Sequence, residues 1–111
     1  MEQPYIYHSD LRDITAPSSG IVSKTLQSDS RSKVVQFCFA PGQELSAHTA
    51  PFPAILQFLR GEATVKLGAD EHPAKEGTFV FMTPQLEHGI RAQTEVVMLL
   101  IMLKNPSPAQ K

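Results

Sequence analysis

The chain has 111 residues, a formal charge of −1 and one cysteine. At about 100–200 residues per domain that is a single domain, and it exceeds the roughly 40 residues below which metals or disulfides are usually needed to hold a core. The balanced charge argues against a nucleic-acid partner, which calls for a basic excess gathered on one face. A lone cysteine excludes an internal disulfide and suits a reducing compartment, most simply the cytoplasm. The opening MEQPYIYHSD lacks the basic start and apolar stretch of a signal peptide. The longest strongly apolar run, Val96–Leu103, falls far short of the ~20 residues of a membrane helix. These features describe a small soluble protein with neither a nucleic-acid nor a membrane partner.

In chain order, Tyr5-Ile-Tyr predicts an edge strand, Asp10 to Ser19 a loop, and Ile21–Leu26 a second strand. Ser28-Asp-Ser-Arg-Ser reads as a polar turn. Beyond it, apolar or alternating runs fall at Val34–Phe39, Ala54–Leu59, Ala63–Leu67, Thr78–Met82 and Val96–Leu103. Pro41-Gly42, Pro51 to Pro53, Gly68 to Asp70, Glu76-Gly77 and Pro84 separate them. Short strands at regular spacing with turn chemistry between them predict an all-β sandwich or barrel. Ala63, Val65 and Leu67 alternate with Thr64 and Lys66 ahead of Gly68, the clearest hairpin arm. The expected organisation is a leader with edge strands over 1–32, a barrel core over 33–104 and a frayed polar tail over 105–111.

Four histidines occur. His8, in the leader, and His72, after the hairpin turn, read as exposed loop residues. His48 and His88 have richer surroundings. The first lies in Pro41-Gly-Gln-Glu-Leu-Ser-Ala-His48, a segment that runs on to Phe58-Leu-Arg-Gly61-Glu. The second lies in Gly77-Thr-Phe-Val-Phe-Met-Thr-Pro84-Gln-Leu-Glu-His88. The two segments, separated by the hairpin, resemble the paired motifs of the cupin superfamily. Gly42, His48 and Gly61 stand in register with the first motif. In the second, Gly77, Pro84 and His88 appear in order with altered spacing at the proline, and Leu86 stands at the motif's usual glycine. The likeness covers roughly Val34 to Leu103. It implies a jelly-roll barrel, or double-stranded β-helix, of six or eight strands with a ligand site in its mouth. It also implies a homodimer that pairs sheets between subunits, for which Ile55 and Leu59 would serve.

Metal sites in this family use three histidines and one glutamate. Carried over residue by residue, His48 fills the first ligand place and His88 the last, while Ala50 and Ala54 occupy the other two. Two imidazoles would hold iron, nickel, zinc or manganese weakly, because a firmly bound transition metal normally has at least three protein ligands. No third ligand is evident nearby. Glu44 and Ser46 share His48's strand parity, but Glu44 lies about 13 Å away at ~3.3 Å per residue. Gln57 should face outward unless Pro51–Pro53 introduce a bulge, and Glu87 should face away from His88. Two readings therefore stand. One is a small-molecule site, with a divalent metal and oxygenase or isomerase chemistry if a metal is retained. The other is a metal-free ligand-binding, structural or sensory barrel. Both centre on His48 and His88, beside Ala50 and Ala54, walled by Leu56, Phe58, Ile90 and Met98.

The remaining candidates read as packing. Cys38 lies in an apolar run with no Lys or Arg beside it in sequence, so it reads as an inert core residue. Met82, Met98 and Met102 should fill the core or line the cavity. Phe79 and Phe81, on one strand parity, should wall the pocket or the core behind it.

Overall fold

The structure is a computed structural model that describes residues 4–104. The strands are β1 (Ile21–Ser28), β2 (Ser32–Phe39), β3 (Glu44–His48), β4 (Ala54–Arg60), β5 (Ala63–Leu67), β6 (Asp70–Ala74), β7 (Phe79–Met82), β8 (His88–Ala92) and β9 (Val96–Leu103). They form two antiparallel sheets, a five-stranded one in the order β1-β2-β9-β4-β7 and a four-stranded one in the order β3-β8-β5-β6. Nine strands are present among the described residues, where the resemblance implied six or eight. No helix among the described residues is long and apolar enough to cross a membrane.

Hydrophobic pattern places the strands. β9 is apolar throughout, so it suits the centre of its sheet, between β2 and β4. β4 alternates, burying Ala54, Leu56 and Phe58 inward. Pro73 cannot donate to a ladder, and it sits on β6, at the sheet's edge. Gly68 opens the β5–β6 turn with φ 62°. Between β1 and β2, the Asp29 carboxylate accepts hydrogen bonds from the Arg31 and Ser32 amides, which lower its pKa. Three strands, β3, β6 and β8, lie where no apolar run pointed: two are mostly polar and the third carries Gly89 and Arg91.

The inner faces of both sheets make one core. Phe39, Leu56, Phe58, Val65, Ile90, Val96 and Met98 are all essentially inaccessible within it.

The N-terminal arm differs from its expectation. Tyr5, Ile6 and Tyr7 form no strand and are exposed. The segment after them is held to the five-stranded sheet by side chains. Gln36 donates to the Leu11 carbonyl (2.6 Å), Arg60 donates to the Ile14 carbonyl (2.6 Å), and Glu95 accepts from the Ala16 amide (2.7 Å). Arg60 and Glu95 also pair at 2.9 Å. Cys38 is fully buried near this pair. An arginine is therefore close in space although none is close in sequence. Burial still raises the thiol's pKa, with Glu95 adding to the shift and Arg60 only partly opposing it. The cysteine remains a protonated core residue. The expectation of a frayed tail over 105–111 lies outside the described residues.

The two outer faces differ in chemistry. On the four-stranded sheet, Glu44 lies opposite Arg91 and Lys66 opposite Glu71, cross-strand charge pairs suited to water. The corresponding face of the five-stranded sheet carries Ile55 opposite both Phe81 and Ile101.

Candidate functional site

His48 and His88 are direct cross-strand partners, on β3 and β8. Their ring centroids lie 4.4 Å apart, with the planes tilted by 53°. A strand period of two would place Glu44 and Ser46 on the same face as His48. The structure shows otherwise, because β3 is bulged. Leu45 pairs with Ile90 and His48 with His88, so β3 takes one more residue than β8 between those two pairs. The extra residue flips the parity: Leu45 packs on the core, Glu44 turns to the outer charged face, and His48 meets His88. Gly89 makes room for this bulge. A Cβ there would lie 3.0 Å from the Leu45 carbonyl oxygen and 3.1 Å from the Ala47 amide nitrogen. Lack of a side chain at 89 is what lets β3 come close enough to bring the histidines together.

Each imidazole is anchored by its own chain. His48 Nδ1 bonds to the Ser46 carbonyl at 2.8 Å, and His88 Nδ1 to the Leu86 carbonyl at 2.9 Å. A carbonyl only accepts, so Nδ1 carries the proton in both rings. A neutral ring in this tautomer keeps a bare lone pair on Nε2. No hydrogen bond among the described residues uses either Nε2.

The two rings line a cavity of about 80 Å³ together with Ala50, Phe52, Ala54, Met82, Thr83, Leu86, Leu100 and Met102. At about 10–15 Å³ per water on this measure, it admits a group of a few heavy atoms, well below the roughly 300–1,000 Å³ of drug-sized sites. His88 is buried and His48 exposed, so the pair spans the distance from interior to solvent.

Of the expected site residues, His48, His88, Ala50 and Ala54 meet at this cavity. Leu56, Phe58, Ile90 and Met98 are placed elsewhere, in the solid core, and do not line it. The reason is strand geometry. Each shares the inward face with a cavity residue but lies one or two pleat repeats, about 6.6 Å each, further from the mouth. Leu100 and Met102 at the outer end of β9 line the cavity instead, as do Met82, Phe52, Thr83 and Leu86. Strand direction was the missing information: β9 runs antiparallel to β4, so its last inward residue sits opposite β4's first. Phe79 and Phe81 wall neither pocket nor core. Met82 faces inward opposite Ala54, which turns Phe81 and Phe79 to the outer face, where they are 54% and 59% exposed. His72 is exposed as expected, but on strand β6 rather than in a loop, and His8 is exposed in the arm.

The cupin-domain family model matches residues 35–103, well over half the chain. The chain belongs to the cupin family. Its fold is similar to that of a conserved protein of unknown function from Streptococcus pyogenes, at TM-score 0.81 and 23% identity over 96% of this chain and 93% of that one. A cupin superfamily protein from Desulfitobacterium hafniense is similar at TM-score 0.81 and 21% identity, over 95% and 94%. A cupin 2 conserved barrel domain protein from Leptotrichia buccalis reaches 28% identity and TM-score 0.77, over 84% of this chain but 45% of that one. Comparison with curated proteins found no match.

As a cupin, the chain departs from its family at the turn before His88. Counted back from that histidine, Gln85 rather than Leu86 holds the motif's glycine place, and Gln85 has φ 70°. A non-glycine residue thus holds the left-handed conformation here, at a cost of about 1–2 kcal/mol. The Gln85 amide donates to the Ala50 carbonyl at 2.7 Å, which ties the two ends of the cavity rim together. The three-histidine, one-glutamate metal set does not fit this cupin. Methyl groups stand at Ala50 and Ala54, Glu44 and Glu87 point away, and no group of three His, Cys, Asp or Glu that could hold a metal occurs among the described residues.

Proposed function

We propose that this cupin is a binding protein whose site is the His48–His88 cavity, and that its ligand is a small electron-pair acceptor rather than a divalent metal of the family type. One observation carries the reading: both Nδ1 atoms are committed to backbone carbonyls, which leaves the two Nε2 atoms free beside a pocket whose other lining residues, Thr83 apart, are apolar. Two lone pairs in an apolar wall complement a hydrogen-bond donor head, such as a hydroxyl or amide, on a short apolar body. The reading assigns binding, not a reaction, to these residues.

The test uses small alcohols, phenols and amides titrated into ¹⁵N-labelled protein. Donor-bearing fragments should move the Nε2 resonances and the Leu100 and Met102 methyls, and His88→Ala should abolish the response. Equal binding by fragments without a donor, or shifts that map elsewhere, would count decisively against the proposal.

A second observation supports self-association. Phe79 and Phe81 are more than half exposed on the face that carries Ile55, whereas the opposite outer face is charged. Exposed aromatic residues clustered on one sheet face mark an interaction surface. A homodimer through this face should sediment as twice the chain mass, and Phe81→Glu should give a folded monomer. A wild type that stays monomeric at high micromolar concentration would exclude it.

A further inference from the structure

We infer that the His48–His88 cavity is a copper(I) site, in which the two Nε2 atoms and the thioether sulfurs of Met82 and Met102 are the donors. The inference rests on that cavity being the ligand site and names the electron-pair acceptor it takes.

The register puts the methionines there. Ala54 on β4 pairs with Met82 on β7 and with Met102 on β9, so both thioether side chains flank the same small methyl group. Both line the cavity with the two histidines. Ala54 is also the place where the family's acidic ligand falls, and there the wall is alanine with a methionine on each side. The hard oxygen donor is absent from that wall and two soft sulfur donors border it.

Donor chemistry selects the ion. No carboxylate lines the cavity; Thr83 offers the only side-chain oxygen among its lining residues. Neutral imidazole and thioether donors cannot neutralise a dipositive ion in an apolar setting, and charge buried without a counter-charge is costly. A monocation asks for less compensation, and thioether ligands favour copper(I) over hard cations. Both histidines already hold the tautomer a metal ligand needs, because their Nδ1 protons are donated to backbone carbonyls. Their ring spacing of 4.4 Å allows one ion to be shared. A cavity of about 80 Å³ suits an ion and at most a small co-ligand.

The test is anaerobic titration of copper(I), kept reduced with ascorbate, into the full chain against a colorimetric copper(I) chelator. One copper per chain is expected, and X-ray absorption should show both nitrogen and sulfur neighbours. Met82→Leu and Met102→Leu keep side-chain volume and should each weaken retention by about tenfold or more, as loss of a supporting or direct ligand does. His48→Ala and His88→Ala should weaken it further. Met98→Leu, in the core, and Cys38→Ser, beside Arg60 and Glu95, should leave it unchanged. Copper held equally well by both Met→Leu variants, copper lost in Cys38→Ser, or absorption without sulfur would each overturn the inference. Should a methionine variant fail to fold, the sulfur signal of the wild type still decides. If copper is refused while donor fragments still move the imidazoles, the copper assignment falls and the binding site stands. If neither binds, both fall.

Discussion

Gly61→Ala should be the most damaging glycine-to-alanine change in this protein. Gly61 has φ +91°, and a Cβ there would meet the Glu95 carbonyl group and lie 2.9 Å from Val96 Cα, all of it backbone. Backbone cannot rotate away as a side chain can, so the β4–β5 connection and the start of β9 would have to separate. Thr94 and Glu95 are tied to this corner: the Glu62 amide donates to Thr94 Oγ1, and Glu95 pairs with Arg60. Gly42 is the control, with φ +83° and nothing within 4 Å of its virtual Cβ. Gly42→Ala should cost only the left-handed strain, about 1–2 kcal/mol. Gly61→Ala carries that strain plus the steric clash, and should lose about 4 kcal/mol or more, in the range reserved for distortion of a packed element. Urea unfolding of the two variants measures the difference. Equal losses would mean that the Gly61 corner is not as close as the structure places it.

Restoring the two missing ligand positions should convert the site. In the double variant Ala50→His, Ala54→Glu, three imidazoles and a carboxylate would surround a cavity that has two imidazoles and no carboxylate, since residues 50 and 54 line it with His48 and His88. Without metal, the new carboxylate would be buried between Met82 and Met102, where desolvation favours its protonated form and an unpaired polar group costs about 1–3 kcal/mol. The metal-free variant should therefore melt below the wild type. With nickel, zinc or manganese, affinity should rise by more than about 100-fold over wild type, the upper end of what a supporting partner alone contributes. At about 100 times the dissociation constant, bound metal returns about 2.7 kcal/mol, enough to offset the penalty. Differential scanning fluorimetry with and without each metal reads both halves. A wild type stabilised by divalent metal as strongly as the variant would show that positions 50 and 54 do not limit divalent-metal binding at this site.

Much of the barrel was legible from the residues. The continuous apolar run of β9 and the alternation of β4 and β5 state where side chains are buried, because period and burial are properties of the local chain. The strands β3 and β8 were not legible, and β6 was legible only as the far side of the hairpin that opens with Ala63. β3 is mostly exposed, β6 is an edge with proline, and β8 mixes glycine and arginine into its apolar positions, so none gives a clean period. His48, His88, Ala50 and Ala54 were expected together, and all four line one cavity. The rest of the cavity wall was not legible. Leu56, Phe58, Ile90 and Met98, expected to wall the pocket, are buried in the core instead, because facing inward says nothing about depth. Depth depends on which end of each strand lies at the mouth, and so on pairing between strands distant in sequence.

The sequence by itself determined that this is an all-β domain of the cupin family, and its motifs set the expectation that His48, His88, Ala50 and Ala54 fall at the family's ligand places. Those features are local: turn residues, apolar period and motif spacing. Only the tertiary structure decided that a bulge in β3, admitted by Gly89, turns His48 onto His88 and Glu44 away from it. It alone brought Met82 and Met102 to either side of Ala54 and carried Phe79 and Phe81 out to the surface. The physical reason is that one inserted residue reverses every side chain beyond it on a strand, and register between strands is set by the partners they meet.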